Sequence, residues 1–387
     1  MKLEGLKVLD LSMFLPGPYL STHLADHGAE VIKIEAPGEG DPGRHIGKGQ
    51  GGHKTFFRNL NRGKSSVVLN LKNEAGREAL LRLVENADVF IEGFRPGVVK
   101  RLGVDYAAVS ARNPRIVYVS ISGFGQTGPL SGVPAHDVAT EAMGGLVSLN
   151  VGSDGQPAMP PVPIADLTAS LLALSGVLMA LYRRTQTGQG DYLDLSMHDA
   201  VLASMPNVLG DVFVDKQPPD RLRERPWGGN AFYRLYRTAD GRHVALGAAE
   251  IKFVRSLLGE LGHLDLVPLA ERGPGPHQAP IVAVLDAWFA TRSQAEWVEY
   301  FRGRDIGFAP VRNVREAFDE PHVAAREMLL HDADGIEHVG TPLKFSKEPG
   351  RVSFAVPGQG EHTAAVLGTA GFTAEEIVAL RTAGACG

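Results

Sequence analysis

The first half of the chain alternates between short apolar runs and longer stretches with apolar residues every three or four positions. The short runs are typical of buried β-strands because turn residues bound them: LKVLDLS, AEVIKIEAP, SSVVLNLK, DVFIEGF and RIVYVSISGFG. The longer stretches GPYLSTHLADHG, which Gly28 closes, and NEAGREALLRLVENA are typical of helices. This alternation predicts βαβ units, and therefore an α/β fold with a parallel, Rossmann-like sheet covered on both faces.

Residues 167–185 are almost all apolar and predict one long helix. Such a helix must be buried, either inside the protein or at a contact between subunits. Its longest apolar run, residues 169–181, is interrupted by serine and glycine and is expected to be too short to span a bilayer. The first residues, MKLEGLKVLDLS, lack the apolar core and cleavage site of a signal peptide. We therefore expect a soluble protein without membrane contact.

The pattern changes after KQPPDRLRERPWGGN. The segment FYRLYRTADGRHVALGA predicts a hairpin whose turn is ADG, and helical segments separated by ERGPGPHQAP follow it. The last part of the chain returns to strands and ends in the helix TAEEIVALRTAG. Residues 215–320 therefore predict a second, smaller domain.

Composition narrows the class of protein. The chain has 387 residues, 44% of them hydrophobic and 21% charged, with a formal net charge of −5, which is typical of a globular protein. No block of lysine and arginine indicates a nucleic-acid surface, so we expect no nucleic-acid partner. Cys386 is the only cysteine, which excludes disulfides within the chain and cysteine-based zinc sites and fits a reducing, cytoplasmic setting. No metal site is predicted.

The glycines do not predict a nucleotide site. The first strand is not followed by G-x-G-x-x-G, because Gly17 and Gly28 do not have that spacing. The glycine cluster ISGFGQTGP ends in Pro129 and lacks a P-loop lysine, so it is interpreted as an ordinary loop.

Two acidic positions lie where a loop becomes a helix. Asp166 follows the proline-rich PPVPIA and either caps the apolar helix or is a desolvated carboxylate, whose pKa and nucleophilicity burial would raise. In GVPAHDVATEAMGG, Asp137 or the loop before it caps a further helix. The adjacent His136 is either a bystander or a carrier of protons.

Four other side chains are candidates on chemical grounds. Glu250, at the end of HVALGAAE, is either a base held by a rigid strand end or a solvated glutamate favoured by a helix dipole. Arg44, Arg95 and Arg101 are candidate anion contacts because a guanidinium group matches a phosphate; each is otherwise ordinary surface charge.

Several motifs occur in a recognisable order along essentially the whole chain. They are LEGLKVLDLS with the following PGPY, LADHGAEVIKIEAPGEGDPGR, NRGKSSVVLNLK, ADVFIEGFRPGVVKRLG, NPRIVYVSISGFGQTGP, IADLTASLLALSGVLMALYRRTQTGQGDYLDLSMHDA and PHVAAREML. Together they resemble the class III CoA-transferase family, which includes formyl-CoA transferase, carnitine CoA-transferase and α-methylacyl-CoA racemase.

The resemblance implies a particular architecture. A large Rossmann-like, CoA-binding domain would consist of residues 1–205 and 325–387, and a smaller α+β domain of residues 215–320. Residues 206–214 and 321–324 would be linkers. The family also implies an interlocked homodimer, in which each active site lies between the large domain of one subunit and the small domain of the other.

The resemblance further implies a coenzyme A thioester as substrate, with no permanently bound cofactor. By position, the CoA contacts of the family fall on Leu69, Lys72, Phe94 and Arg101, with Arg95 nearby. Lys72 and Arg101 suit phosphate groups, and the ring of Phe94 offers a face for adenine.

Asp166 falls on the aspartate that is essential in the family. In the transferases this aspartate attacks the acyl-CoA thioester, giving a mixed anhydride and then an aspartyl-CoA thioester. In the racemases it takes part in proton transfer at the carbon next to the thioester carbonyl. His136 and Glu250 match the racemases' histidine and second carboxylate, and inversion at a carbon needs two opposed acid–base groups.

Other segments separate these two alternatives. The long loop GEGDPGRHIGKGQGGHKTFFRNLNRGKSS and the segment IADLTAS resemble transferases, and HDVATEA lacks the Asn-Tyr that follows His-Asp in racemases. Against this, transferases more often have tyrosine at the position of His136, and the glycine-rich loop of the formyl-CoA enzyme is missing around residues 247–250. We favour the transferase, with an acyl-CoA and a small carboxylic acid as substrates, over the racemase.

Overall fold

The computed structural model describes residues 1–152 and 154–387. They form two compact units, the first made of Met1–Ser204 with Pro321–Gly387 and the second of Met205–Glu320. Whether these units are separate folding domains with linkers at 206–214 and 321–324 stays a prediction.

The strands of the first unit alternate with helices along the chain. The strands up to residue 196 are β1 Lys7–Asp10, β2 Glu30–Glu35, β3 Gly49–Gln50, β4 His53–Lys54, β5 Ser65–Val68, β6 Val89–Glu92, β7 Val117–Ser122 and β8 Asp191–Ser196. Six of them form a parallel sheet in the order β5-β2-β1-β6-β7-β8, and β3 pairs with β4 in a short hairpin. The predicted α/β fold with a parallel sheet is confirmed.

The strand order reverses between β1 and β6. The chain proceeds outward from β1 through β2 to β5, and then returns to β6 and continues outward to β7 and β8. The connections that leave β1 and β6 therefore diverge and open a crevice at the carboxyl ends of the strands. Ligands bind in such crevices in open α/β sheets.

Helices cover both faces of this sheet. Those up to residue 203 are α1 Pro16–Asp26, α2 Thr55–Asn61, α3 Glu74–Val84, α4 Val98–Leu102, α5 Tyr106–Arg112, α6 Asp137–Met143, α7 Leu146–Leu149, α8 Ile164–Thr187 and α9 Met197–Ala203. On the face of Leu9, residues of α3 and α5 join one core, while α1 and α8 pack together elsewhere in the unit. Val8 and Leu9 point to opposite faces of β1 and both are fully buried, as expected for a covered parallel sheet.

The long apolar helix α8 is only partly buried. Its small side chains, such as Ala169 and Ala173, are buried, and α8 packs against α1, β7 and β8, whereas Met179 and Tyr182 are each 69% exposed. Of the two expected alternatives, burial inside the protein does not hold for the outer side of α8, and burial at a contact between subunits stays a prediction.

The length of α8 also differs from the expectation. It continues for 24 residues, and an 18-residue window within it has a mean hydropathy of 1.9, so by length and composition alone it is long enough to cross a membrane. The expectation of too short a helix was wrong because it considered only the uninterrupted apolar run. In this structure one side of α8, which carries the alanines, is buried, and Arg184 forms an ion pair with Asp88 at 2.7 Å. Both features are typical of a helix packed on a sheet.

The second unit is built around an antiparallel sheet. Its strands are β9 Tyr233–Arg237, β10 His243–Gly247 and β11 Phe308–Pro310, in the order β11-β10-β9. Its helices are α10 Ile251–Glu260, α11 Val267–Glu271, α12 Ala279–Phe289, α13 Gln294–Phe301 and α14 Val314–Phe318. The predicted hairpin is present as β9 and β10, and the buried rings of Tyr236, Phe289 and Trp297 form the centre of the core.

The last segment of the chain belongs to the first unit. It contains α15 Pro321–Ala325, β12 Leu329–His331, β13 Glu337–Val339, α16 Thr363–Thr369 and α17 Ala374–Thr382. Leu367 and Leu380 lie in the core on the Leu9 face, and Cys386 forms an antiparallel bridge with Leu69 just after β5. The C-terminal segment thus supports one wall of the crevice.

Candidate functional site

The crevice at the carboxyl end of the sheet contains a cavity of about 510 Å³, here called the first cavity. Segments that follow β1, β2, β5 and β6 line it, and they include Leu69, Lys72 and Phe94. Leu69 is buried and Lys72 is exposed. Within the described part of the chain the Lys72 ammonium group has no ion-pair partner, so it is available to an anion.

A buried ion pair supports this cavity. Lys33 and Asp41 are both almost completely buried, with 2.7 Å between the Lys33 nitrogen and a carboxylate oxygen of Asp41. Lys33 also donates to the carbonyl oxygen of Ser12 at 2.9 Å. Removal of either charge would leave the other buried without a partner, which is costly. The pair therefore ties the segment after β1 to the segment after β2.

Arg44 is part of the same support. Its guanidinium group donates to both oxygens of the buried Glu35 carboxylate, at 2.8 and 2.5 Å, and to the Pro357 carbonyl oxygen at 3.0 Å. It also lies 4.0 Å from the centre of the Phe57 ring. The interpretation of Arg44 as ordinary surface charge is wrong, and its planar fork is already occupied by a carboxylate.

A second cavity, of about 660 Å³, adjoins the first, since Met13, Phe94 and Val98 line both. It brings together four side chains that the sequence singled out: Arg95, Arg101, His136 and Asp166. Both arginines are exposed, and neither guanidinium group has a hydrogen-bond or ion-pair partner among residues 1–152 and 154–387. The two guanidinium groups and the Asp166 carboxyl group therefore line the same cavity.

Glu250 is not among the residues that line these two cavities. It is an exposed residue at the N-cap position of α10 in the second unit, and its side chain does not cap that helix. It lines a separate cavity of about 450 Å³ in the second unit. Of the three residues predicted for acid–base chemistry, only His136 and Asp166 therefore share a cavity.

Asp166 lies in the first turn of α8, and side chains from α6 hold this turn. Pro163 precedes the helix and provides no side-chain cap. Instead, Glu141 accepts a hydrogen bond from the Ile164 N–H at 2.8 Å, and Asp137 accepts one from the Asp166 N–H at 3.1 Å. Asp137 thus caps α8, not its own helix, and the expectation for the cap of α6 is wrong.

The surroundings of the Asp166 carboxyl group favour its protonated form. Burial raises its pKa from 3.8 to about 7, and the nearby carboxyl groups of Asp137 and Glu141 act in the same direction. At neutral pH the protonated and ionised forms therefore coexist. A carboxylate with such a raised pKa is a better nucleophile and a better base than an ordinary aspartate.

His136 is exposed, and its ring contacts Phe14 edge-on with 5.9 Å between ring centres. Phe14 has a φ of 62°, a left-handed backbone conformation that is unfavourable for an aromatic residue, and its N–H donates to Asp41 at 3.3 Å. Both rings line the second cavity. His136 occupies the N-cap position of α6 without capping it, so its imidazole remains available to a ligand.

Sequence reasoning missed two buried carboxyl groups in this region. Glu141 is fully buried, and Glu92 at the end of β6 accepts a hydrogen bond from the Phe94 N–H at 2.8 Å. Burial raises the pKa of Glu92 to about 7. A glutamate in the otherwise apolar strand VFIE was the available signal for Glu92; nothing in HDVATEAMGG distinguished Glu141 from an exposed helix residue.

Comparison with known proteins identifies the family. Residues 3–363 match the family described as CoA-transferase family III. The chain belongs to this family. It is therefore a class III CoA-transferase family enzyme, and the resemblance seen in its motifs is confirmed.

Individual relatives match most of this chain. Over 89% of both chains it is 35% identical to the acetyl-CoA:oxalate CoA-transferase of Acetobacter aceti. It is 30% identical to the succinyl-CoA:glutarate CoA-transferase of Mus musculus, over 94% of this chain and 85% of the relative. The alpha-methylacyl-CoA racemase of Mus musculus is 33% identical to it, over 99% of this chain and 97% of the relative.

A solved structure has the same fold. The crystal structure of a CAIB/BAIF family protein from Brucella suis has a TM-score of 0.82 at 29% identity, over 95% of this chain and 99% of that chain. Among the described residues of this family III enzyme, no group of three or more His, Cys, Asp and Glu residues could hold a metal ion.

The raised pKa of Asp166 predicts a pH-dependent effect on stability. Between pH values near 3.8 and about 7 the folded protein holds this proton more tightly than the unfolded chain, so the free energy of unfolding falls as pH rises. Asp166→Asn has no such proton to lose. We expect it to be more stable than the wild type by about 1–3 kcal/mol at about pH 8, and nearly equal at about pH 4.

Urea unfolding at several pH values checks this prediction. The exposed aspartate Asp215, which has no ion pair among the described residues, provides the control Asp215→Asn, which should show no pH-dependent difference. A difference between Asp166→Asn and wild type that stays constant with pH would contradict the raised pKa.

Proposed function

We propose that this enzyme transfers CoA from an acyl-CoA donor to a carboxylic acid through a covalent intermediate on Asp166. The observation that carries the proposal is that the desolvated Asp166 carboxyl group lines a cavity that adjoins the one lined by Leu69 and Lys72. The names of the oxalate and glutarate CoA-transferases among its relatives support this reaction class.

In this proposal CoA extends from the first cavity into the part of the second cavity that Arg95 and Arg101 line, and its thioester lies near Asp166. Lys72, Arg95 and Arg101 would bind phosphate groups, because charge-assisted hydrogen bonds to phosphate are strong. The Phe94 ring would contact the adenine, and Leu69 would supply an apolar wall. CoA is then a substrate that enters and leaves in each turnover, without a permanently bound cofactor.

The proposed reaction proceeds in four exchanges. The ionised Asp166 carboxylate attacks the thioester carbonyl and expels the CoA thiolate, giving a mixed anhydride. The thiolate attacks the aspartyl carbonyl, giving an aspartyl-CoA thioester and releasing the donor acid as its carboxylate. The acceptor carboxylate then displaces CoA from the aspartyl group, forming a second anhydride. Finally the thiolate attacks the acceptor's carbonyl, which releases the new acyl-CoA and restores Asp166.

The second candidate is an α-methylacyl-CoA racemase that uses His136, Asp166 and Glu250. His136 and Asp166 line the same cavity, as two groups that exchange protons with one carbon must. The racemase of Mus musculus among the relatives supports the same alternative. In the transferase proposal His136 instead orients the substrate or donates a hydrogen bond.

The acceptor in the transferase proposal is a small carboxylic acid. The relatives act, by their names, with acetyl-CoA or succinyl-CoA and with oxalate or glutarate. We also propose a cytoplasmic location, because the one cysteine is consistent with a reducing compartment.

We further propose an interlocked homodimer, with residues 1–205 and 325–387 of one subunit facing residues 215–320 of the other. The outer side of α8 supports a subunit contact, because Leu171, Leu178, Met179 and Tyr182 are exposed together on one apolar helix. An active site completed by the partner would also give Glu250 a role that one chain does not provide.

Removal of a phosphate contact should weaken CoA binding. Lys72→Ala and Arg101→Ala are each expected to reduce the binding free energy by about 1–3 kcal/mol, because each loses a charge-assisted hydrogen bond. Calorimetry with CoA at low salt measures the effect, and Arg302→Ala, an exposed arginine in the second unit, is the control. Unchanged affinity in both variants would remove Lys72 and Arg101 from the site.

A chemical trap separates the transferase from the racemase. After incubation with acetyl-CoA or succinyl-CoA, hydroxylamine or borohydride should modify Asp166 in the wild type, and mass spectrometry should locate the change there. Asp166→Asn should show no modification, and His136→Ala should slow turnover but retain the trapped adduct. Rapid exchange of the α-proton of a 2-methylacyl-CoA with D₂O, abolished in His136→Ala and without an adduct, would favour the racemase instead.

Sedimentation equilibrium tests the assembly. We expect a dimer at micromolar concentration, because the exposed apolar residues of α8 would be removed from water by a second copy. A stable, folded monomer at that concentration would rule out the obligate dimer.

A further inference from the structure

We propose that Glu141 is a positioning residue for the reaction at Asp166, acting as a neutral carboxylic acid that links α6 to the first turn of α8. The inference rests on the proposed function, since it concerns the carboxyl group that would attack the thioester. Glu141 is fully buried and does not line the cavity that Asp166 lines, so it acts through other groups.

The first argument is the hydrogen bonding of the start of α8. The first backbone bond in this turn runs from the Leu167 N–H to the Pro163 carbonyl, so the three preceding N–H groups need other acceptors. Glu141 accepts from Ile164 at 2.8 Å, and Asp137 accepts from Asp166 at 3.1 Å. Two of the three groups are thus held by carboxyl side chains of α6.

The second argument is the remaining oxygen of Glu141. As a carboxylate oxygen, Oε2 is buried and has no hydrogen-bond donor among the described residues. As a hydroxyl, it donates to the neighbouring Asp137 carboxyl group, with which Glu141 interacts directly. Burial and the charge of Asp137 both raise the pKa of Glu141, in agreement with a proton held at this position.

Within residues 1–152 and 154–387, no lysine or arginine pairs with Glu141 or Asp166, and on α6 itself His136 precedes Asp137 at the N-cap position. α7 contains no titratable residue, and α9 contributes His198 and Asp199, which lie 3.5 Å apart and face each other. On α8 the nearby titratable group is Asp166 itself. The proton on Glu141 therefore forms a hydrogen bond to Asp137. Asp137 in turn accepts the hydrogen bond from the Asp166 N–H.

This link sets where the Asp166 carboxyl group points. Without Glu141, the Ile164 N–H would lose its acceptor and Asp137 would lose its link to Glu141, so the first turn could shift. A shift of about 1 Å at an attacking group can cost on the order of 100-fold in rate. Burial raises the pKa of Asp166 most, and the Asp137 carboxyl group held in this place raises it further.

Two substitutions separate these contributions. Glu141→Gln retains an oxygen for the Ile164 N–H and a donor for Asp137, whereas Glu141→Ala removes both; Glu299→Ala, an exposed glutamate paired with Arg302, is the control. We expect Glu141→Ala to slow the loading of Asp166 with CoA, measured by the hydroxylamine trap, roughly 100-fold without raising KM for the acyl-CoA. Glu141→Gln should retain most of the rate.

The protonation state is tested without any substrate. Wild type and Glu141→Gln are unfolded in urea from about pH 5 to about pH 9. A carboxyl group with a raised pKa stabilises the fold while it is protonated, and this stability is lost as pH rises through that pKa. The wild type should therefore lose unfolding free energy relative to Glu141→Gln as pH rises.

Three outcomes would overturn the inference. One is a folded Glu141→Ala enzyme that loads Asp166 at the wild-type rate. Another is a Glu141→Gln enzyme as slow as Glu141→Ala. The third is a constant stability difference between wild type and Glu141→Gln across pH, which would mean an ionised Glu141. If the wild type forms no adduct with any donor, the proposed function fails, while the pH comparison still decides the state of Glu141.

Discussion

The proline before α8 imposes the constraint on which the site depends. A helix that follows Pro163 begins with N–H groups that no local side chain can satisfy, and in this protein the carboxyl groups of Asp137 and Glu141 accept them. This arrangement joins α6 and α8 at the point where Asp166 enters the second cavity. Burial raises the pKa of Asp166 most, and the carboxyl groups that hold this turn raise it further, so the capping of the helix also contributes to the reactivity of Asp166.

The sheet provides the other half of the site. Because the strand order reverses between β1 and β6, the segments after these strands separate and form the first cavity. Two buried ion pairs hold these segments in place: Lys33 with Asp41, and Arg44 with Glu35. Such pairs contribute little net stability, but breaking one is costly, so they specify one arrangement of the loops.

One carboxyl group with a pKa near neutrality is compatible with both chemistries of this family. As a nucleophile Asp166 must be ionised and poorly solvated, and as a base it must match the pH at which it works. The difference between the two reactions therefore lies in its neighbours. His136 against Phe14 in the same cavity, and the cationic Arg95 and Arg101, are the neighbours that this chain itself supplies.

The order of apolar and polar residues determined the βαβ alternation, because periodicity is a property of neighbouring residues. The motifs, together with the position of Asp166 between a loop and a helix, indicated the family and its chemistry. Tertiary structure alone decided the role of Glu141, because the N–H group that it accepts lies 23 residues away. It likewise paired Arg44 with Glu35 and left the outer side of α8 exposed. The partner of a charged side chain and the covered side of an apolar helix depend on which distant segments meet. No local sequence pattern contains that information.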